Sequence, residues 1–130
     1  GKNVAPQNLE KKLRAIDGVA QAVVIGDRRK YLTALLTLCP ERAPRLADEN
    51  QWPQELVELA EDERFKAHVK TAIDQDVNHA LARYEQIKTF SLLPRDFSQE
   101  EGELTPTQKL KRNVIVPKHA DLIEEMYPPV

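Results

Sequence analysis

Apolar residues recur along the chain at two spacings, one typical of helices and one typical of strands. In "APQNLEKKLRAI" (5–16), Leu9, Leu13 and Ile16 follow at helical spacing and form one apolar stripe. Pro6 precedes them, and proline suits the first turn of a helix because it has no amide hydrogen to donate. The Asp-Gly pair that comes next predicts the end of this first helix.

Alternating positions in the next two segments predict a β-hairpin. "VAQAVVIGD" (19–27) and "YLTALLTLC" (31–39) are rich in β-branched and aliphatic residues and are separated by the charged "RRK". In the second segment the leucines and the alanine at even positions point one way, whereas Thr33 and Thr37 point the other way. The expected hairpin therefore has one buried face.

A proline-rich and acidic connector (40–63) separates the hairpin from a long apolar stripe. The connector is expected to carry one or two short helices, with Trp52 as an anchor. From Glu61 onward, apolar residues recur every three or four positions, with charged residues between them: Phe65, Val69, Ile73, Val77, Leu81 and Tyr84. This stripe predicts one amphipathic helix of roughly 25 residues, about 40 Å long, that lies across the sheet.

The last third of the chain predicts a strand, a loop and a final helix. "IKTFSLLP" (87–94) is expected to be a further strand, and "RDFSQEEGE" is rich in turn-forming residues. "VPKHADLIEEMY" is expected to be a short helix with Leu122, Ile123 and Met126 turned inward. A small sheet made of a hairpin and a further strand, covered by a long helix and shorter ones, predicts the α+β class.

Composition limits the kind of protein. At 130 residues, with 41% hydrophobic and 31% charged residues, the chain suits one soluble globular domain, and its apolar runs are too short to cross a bilayer. One cysteine, Cys39, excludes an internal disulfide framework and suits a reducing cytoplasm. The slightly acidic net charge of -2 argues against general nucleic-acid binding. The start at Gly1 suggests a piece of a larger protein, although a tag remnant would look the same.

Catalysis by this chain alone is not expected from its residues. His68, His79 and His119 are not at metal-ligand spacing with one another or with Cys39, so we predict no metal site. Cys39 ends an apolar segment, which favours a small core residue over a nucleophile. The four glycines are scattered and form no phosphate-binding loop.

A basic cluster near the end of the chain raises two hypotheses. In "LTPTQKLKR" (104–112), Lys109, Lys111 and Arg112 follow directly on the acidic run "SQEEGE". By the residues alone, a solvated charge cluster is the favoured interpretation. The alternative is a lysine held out to meet a phosphate, since a lysine delivers a compact positive charge. Three residues would stiffen such a loop: Thr105, Pro106 and Thr107.

The whole chain resembles the small C-terminal domain of adenylate-forming enzymes, the superfamily of acyl-CoA synthetases, luciferases and peptide-synthetase adenylation domains. "GKNVAP" (1–6) is similar to the start of that domain, and "QAVVIGD" and "YLTALLTL" are similar to its hairpin. "IKTFSLLPRDFSQEEGELTPTQKLKR" (87–112) resembles the long-chain fatty acyl-CoA ligase branch in particular.

The resemblance implies roles for the residues at both ends of the chain. Lys109 takes the position of the family's adenylation lysine, supported by its loop: Thr105, Thr107, Lys111 and Arg112. Gly1, Lys2 and Asn3 would lie near the pantetheine channel of coenzyme A. The implied reaction uses ATP, Mg²⁺ and coenzyme A, and joins a long-chain fatty acid to coenzyme A through an acyl-adenylate.

The resemblance also implies a missing partner. Residues 1–130 would form a single lid domain, and the large N-terminal domain that binds ATP and the acyl chain is absent. We therefore expect the chain alone to be inactive and to bind no cofactor. The parent enzyme is expected in the cytoplasm, with peripheral attachment to a membrane left open.

Two rival hypotheses remain beside the fatty acid–CoA ligase. The first keeps adenylation but transfers the acyl group to an acyl-carrier protein or another thiol. The second is a non-catalytic interaction module that binds an acidic partner or RNA through the loop from Lys109 to Arg112. In such a module the three cations would contribute similarly, and binding would weaken steeply with salt.

Overall fold

The computed structural model describes residues 5–129 of the chain. It forms two compact units, one that ends at Asp96 and one that begins at Phe97. The first unit contains α1 (Pro6–Arg14), β1 (Val19–Ile25), β2 (Leu32–Leu38), α2 (Arg42–Asn50), α3 (Leu56–Glu61), α4 (Glu63–Ala72) and β3 (Ile87–Leu93). The second contains α5 (Arg112–Lys118) and α6 (Ala120–Glu125). No helix among the described residues is both long and apolar enough to cross a membrane.

The first unit is built on a three-stranded sheet in the order β1-β2-β3. The predicted hairpin is confirmed, because β1 and β2 pair antiparallel with Val24 opposite Ala34. The predicted further strand is also confirmed, and it pairs parallel to β2 with Leu36 opposite Leu92. A parallel pair needs a long crossover, which here contains α2, α3 and α4. Sheet and helices together confirm the α+β class.

The central strand is buried on both faces, so the expectation of one buried face is wrong for β2. Thr33 and Thr37 are as fully buried as Leu35 between them. The Thr37 hydroxyl accepts a hydrogen bond from the backbone N–H of Gln21 over 2.9 Å and donates to the Asp96 carboxylate over 2.8 Å. A buried hydroxyl is tolerated when it is hydrogen-bonded, and alternation alone cannot reveal such partners.

The predicted first helix is confirmed, and it packs against the outer strand β1. Leu9, Leu13 and Ile16 are buried in the core. On the same helix, the buried carboxylate of Glu10 accepts a hydrogen bond from the backbone N–H of Val24 over 2.8 Å. This hydrogen bond pairs one backbone N–H of the edge strand β1. Unpaired backbone groups on an edge strand can otherwise pair with another chain.

The helix predicted from Glu61 to Tyr84 is shorter than expected. The stripe from Phe65 to Val77 is buried as predicted, but α4 ends at Ala72 and a π-helical segment continues only to Asn78. The Asn78 side chain donates to the Ile87 carbonyl over 3.0 Å and accepts from the Ile87 N–H over 2.8 Å. The π-helical segment therefore ends at Asn78, whose side-chain amide is bonded to Ile87, the first residue of β3.

The connector behaves as predicted, with two short helices and an aromatic anchor. The Trp52 ring lies 6.2 Å from the Phe65 ring and 6.1 Å from the His68 ring, measured between centroids. Gly18 faces this group with a φ of +93°, and a Cβ there would lie 3.3 Å from the Phe65 ring. This position therefore requires glycine for both its backbone conformation and its close contact.

The second unit contains two short helices where one was expected. The helical segment begins earlier than predicted, at Arg112, and breaks at His119, just after Pro117. Ile123 and Met126 are buried as expected, whereas Leu122 is only half-buried. Proline restricts the residue before it and lacks an N–H, which explains why the turn around it is irregular.

Candidate functional site

Lys109, the first cation of the basic cluster, lies on a tight reversal of the chain in the second unit, residues 104–110, which we call the lysine loop. Leu104 and Leu110 form an antiparallel bridge. Inside it, the Thr105 N–H donates to the Lys109 carbonyl and the Gln108 N–H donates to the Thr105 carbonyl, each over 2.8 Å. Gln108 reverses the chain with a φ of 65°. The backbone hydrogen bonds hold the loop in one conformation.

The threonine hydroxyls add a second set of contacts to the lysine loop. The Thr105 hydroxyl accepts a hydrogen bond from the Lys109 N–H over 3.0 Å, and it lies 3.2 Å from the Thr107 hydroxyl. Thr105 therefore bonds the residue that carries the candidate ammonium through both its backbone and its side chain. The sequence predicts stiffening by the fixed dihedral of Pro106 and the restricted rotamers of the threonines, but it does not reveal these hydrogen bonds.

Lys109 is exposed and directly follows Gln108, the residue at which the lysine loop reverses direction. Across residues 5–129, no hydrogen bond or ion pair of its ammonium is found with another side chain. A lysine side chain on a fixed backbone can deliver its charge to a neighbouring cleft. The placement fits a cation that meets its anionic partner outside this domain.

Lys111 and Arg112 have different surroundings from Lys109. Both are half-buried, and Arg112 opens α5. The Lys111 N–H donates to the Glu103 carbonyl over 2.9 Å. The three cations therefore do not form one uniform solvated cluster.

An ion pair between a buried carboxylate and a partly exposed lysine, at the base of the lysine loop, was missed by the sequence reasoning. Glu103 has a fully buried side chain, and its Oε2 lies 3.2 Å from the Lys118 Nζ. Lys118 also lies 3.2 Å from the exposed carboxylate of Glu101. Desolvation lowers the pKa of Lys118, but the hydrogen bonds and charges of Glu103 and Glu101 outweigh it and raise this pKa above its ordinary value.

Three residues were predicted to approach coenzyme A. Gly1, Lys2 and Asn3 lie outside the described residues. Their role stays a prediction.

His68 and Cys39, which the sequence did not favour as functional residues, each contact a neighbouring residue. His68 stacks on Phe65 and its Nε2 lies 3.2 Å from the Asp17 carbonyl oxygen. Cys39 is half-buried, and its thiol accepts a hydrogen bond from the Arg42 N–H over 3.4 Å. Desolvation raises the pKa of this thiol, but the hydrogen bonds and charge of Arg42 outweigh it and lower the pKa below its ordinary value.

No cluster of histidine, cysteine or acidic side chains that could hold a metal ion is found in the described part of the chain.

An open cleft in the first unit has a volume of about 890 Å³ and a basic and aromatic lining. Its charged and aromatic residues are Lys30, Tyr31, Asp74, Arg83, Tyr84 and Lys88. The Lys88 ammonium lies 5.5 Å from the centroid of the Tyr31 ring, and Tyr84 is 50% exposed. The lining carries three cations (Lys30, Arg83 and Lys88) and one carboxylate (Asp74), and this excess of positive charge attracts anions. The cleft was not predicted from the sequence, because its lining residues come from three separate segments of the chain.

Comparison with known proteins identifies the family. The profile of the AMP-binding enzyme C-terminal domain matches residues 1–130. The long-chain-fatty-acid–CoA ligase FadD15 of Mycobacterium tuberculosis is 41% identical over 129 residues, which are 98% of this chain and 21% of that protein. The long-chain-fatty-acid–CoA ligase ACSBG2 of Gallus gallus is 30% identical over 146 residues, which are 98% of this chain and 19% of that protein.

Solved structures share the fold. The adenylation domain of a carboxylate reductase from Mycobacterium chelonae superposes with a TM-score of 0.75 at 26% identity, covering 98% of this chain and 18% of that one. This chain spans about a fifth of the length of the curated relatives named above. The chain belongs to the family of AMP-binding enzyme C-terminal domains.

Proposed function

We propose that this chain is the lid domain of an ATP-dependent long-chain fatty acid–CoA ligase and that Lys109 serves its adenylation step. The observation that carries the proposal is the exposed lysine on a doubly hydrogen-bonded loop. The names of the relatives support the substrates, since they are long-chain-fatty-acid–CoA ligases. The large domain that binds ATP and the acyl chain completes the proposed enzyme.

The first half-reaction needs a cation between two anions. A fatty acid carboxylate oxygen attacks the α-phosphorus of ATP, a new P–O bond forms, and the bond to the pyrophosphate oxygen breaks. Two negative groups must approach each other, so an ammonium within reach of both lowers their repulsion. At 4 Å and an effective dielectric constant near 20, one such contact is worth about 4 kcal/mol before desolvation. Removal of one such preorganised donor typically slows a reaction by about 10²- to 10³-fold.

The second half-reaction does not use Lys109. The lid rotates, the sulfur of coenzyme A bonds to the acyl carbon with loss of the thiol proton, and the bond from that carbon to the AMP oxygen breaks. Gly1, Lys2 and Asn3 are proposed to lie beside the pantetheine arm in this state, with glycine allowing close backbone approach. Mg²⁺ would accompany the phosphates of ATP, and no cluster among residues 5–129 suits a metal ion. The proposed contribution of this domain to adenylation is the Lys109 ammonium.

The two rival functions are less well supported. Relatives named as CoA ligases favour coenzyme A over an acyl-carrier protein as the acceptor. An interaction module predicts equivalent roles for Lys109, Lys111 and Arg112, but only Lys109 of the three is exposed. The location of the parent enzyme in the cytoplasm stays a prediction.

Product analysis of the full-length protein tests the proposed function. With a long-chain fatty acid, ATP and coenzyme A, we expect acyl-CoA, AMP and pyrophosphate in equal amounts. Formation of an acyl thioester only on an acyl-carrier protein would favour the rival acceptor. Failure to release pyrophosphate with any fatty acid would contradict the proposed function.

The isolated 130-residue chain is proposed to fold without activity. The family resemblance assigns the adenine pocket and the acyl tunnel to the large domain, so calorimetric titration of this chain with ATP should show no appreciable heat of binding. A micromolar dissociation constant would contradict this part of the proposal.

A further inference from the structure

Glu103 is a buried charge that the proposed reaction does not itself use. The Glu103 side chain is fully buried. Its Oε2 lies 3.2 Å from the Nζ of Lys118, whose side chain is 34% exposed. Glutamate is almost never fully buried unless it is paired. Such a pair adds little net stability compared with apolar residues of the same size. Its presence in the second unit therefore calls for a role other than stability.

The position of the Glu103 carboxylate is fixed by the backbone as well as by Lys118. Its Oε1 accepts a hydrogen bond from the Ser98 N–H over 3.1 Å. The Glu103 N–H donates in turn to the Ser98 carbonyl over 2.9 Å. The side chain and the main chain of Glu103 thus both bond Ser98, which leaves the carboxylate one orientation.

Glu103 is also the first residue of the ladder that carries the adenylation lysine. Three successive contacts connect it to Lys109: Lys111 N–H to Glu103 carbonyl at 2.9 Å, the Leu104–Leu110 bridge, and Thr105 N–H to Lys109 carbonyl at 2.8 Å. Paired backbone therefore connects Glu103 to Lys109 without a break. Lys118, at the end of α5, ties this ladder to a helix.

We propose that Glu103 and Lys118 are positioning residues that fix the lysine loop for the adenylation step. The inference rests on the proposed function of Lys109. A displacement of about 1 Å at a reacting group can cost about 10²-fold in rate. The ion pair holds the base of the loop, so that the Lys109 ammonium reaches the same point in each catalytic cycle.

Glu101 provides a matched control on the same lysine. Its Oε1 also lies 3.2 Å from the Lys118 Nζ, but its side chain is 52% exposed. It precedes the lysine loop, and its backbone N–H donates to the Ser98 hydroxyl over 3.2 Å. The loss of an exposed partner has a small effect. Replacement of Glu101 should therefore leave the loop in place.

The test measures both half-reactions in the full-length parent enzyme. Glu103→Gln should lower kcat for ATP–pyrophosphate exchange by about 10- to 100-fold, with an unchanged KM for ATP. Thioester formation from a supplied acyl-adenylate should stay within about twofold, and Glu101→Gln should keep both rates within about twofold. If Glu103 only stabilised the fold, Glu103→Gln would slow both half-reactions to a similar extent. That result would overturn the inference.

Lys118 gives an independent measurement should Glu103→Gln fail to fold. Lys118→Met should reproduce the loss of exchange, and Lys118→Arg should restore most of it because the charge remains. The double variant of Glu103→Gln and Lys118→Met should be no slower than either single variant, since coupled residues are not additive. Normal exchange in Lys118→Met would overturn the inference.

Lys109→Ala, measured alongside, separates this inference from the proposed function. Intact exchange in Lys109→Ala would refute both. Lost exchange in Lys109→Ala with normal exchange in the Glu103 and Lys118 variants would refute only the positioning role.

Discussion

The Thr105 hydroxyl accepts a hydrogen bond from the backbone N–H of Lys109 over 3.0 Å. We predict that Thr105→Val, which keeps the shape but removes the hydroxyl, slows adenylation by about fivefold, since one hydrogen bond is worth about 1 kcal/mol. Thr105→Ser keeps the acceptor and should retain most of the activity. The measurement is ATP–pyrophosphate exchange in the parent enzyme, and equal rates for Val and Ser would contradict this role.

Gln108 adopts a backbone conformation that β-branched residues avoid, with a φ of 65°. We predict that Gln108→Val lowers the free energy of unfolding by about 1–2 kcal/mol, whereas Gln108→Asn has little effect because asparagine tolerates this region. Denaturant titration of the 130-residue chain measures both variants. A Val variant as stable as the Asn variant would show that the turn does not need this conformation.

Asn78 holds the start of β3 through two hydrogen bonds to Ile87. Asn78→Leu should lower the free energy of unfolding by about 2–4 kcal/mol, because two buried backbone groups lose their partners. The exposed Asn113 is the matched control, and Asn113→Ala should change stability by no more than about 0.5 kcal/mol. Similar losses for both variants would contradict the role given to Asn78.

The stability of the first unit should depend on pH through Asp62 at the start of α4. The hydrogen bond from the Arg64 side chain is the main cause that lowers the Asp62 pKa from 3.8 to about 2, helped by the N–H groups of Arg64 and Phe65. The folded pKa is below the unfolded one, so this stabilisation is complete above pH 3.8 and is lost as the pH falls towards 2.

Asp62→Asn should therefore reduce the dependence of the free energy of unfolding on pH between about pH 5 and 2, which we call the acid limb. Denaturant titration at a series of pH values measures it. Arg64→Ala should return the Asp62 pKa towards its ordinary value and weaken the same limb. An unchanged acid limb in both variants would contradict the assignment.

The regular elements were largely predictable from the spacing of their apolar residues, although the alternation in β2 did not reveal that Thr33 and Thr37 are also buried. The stripe of α1 and the alternation of β1 and β2 indicate the correct elements. The helix through Tyr84 was overpredicted, since periodicity continues past the point where the Asn78 side chain bonds Ile87. Local pattern contains no information about that distant backbone partner.

The candidate site was predictable only in part. Lys109 was proposed from the family resemblance, because the residues around it alone favoured a solvated charge cluster, and its role stays a prediction. Glu103 was missed because it belongs to an acidic run that looks like a solvated surface, and its partner Lys118 lies fifteen residues further along. Burial of one carboxylate among several is decided by tertiary contacts, which a single sequence does not reveal.

The two half-reactions of Lys109→Ala in the full-length enzyme test the central claim most directly. Lys111→Ala, two positions away, is the matched control. We predict that Lys109→Ala slows ATP–pyrophosphate exchange by at least about 10²-fold and leaves thioester formation from a supplied acyl-adenylate nearly unchanged, while Lys111→Ala affects exchange much less. Equal losses in both half-reactions, or equal effects of the two variants, would contradict the account.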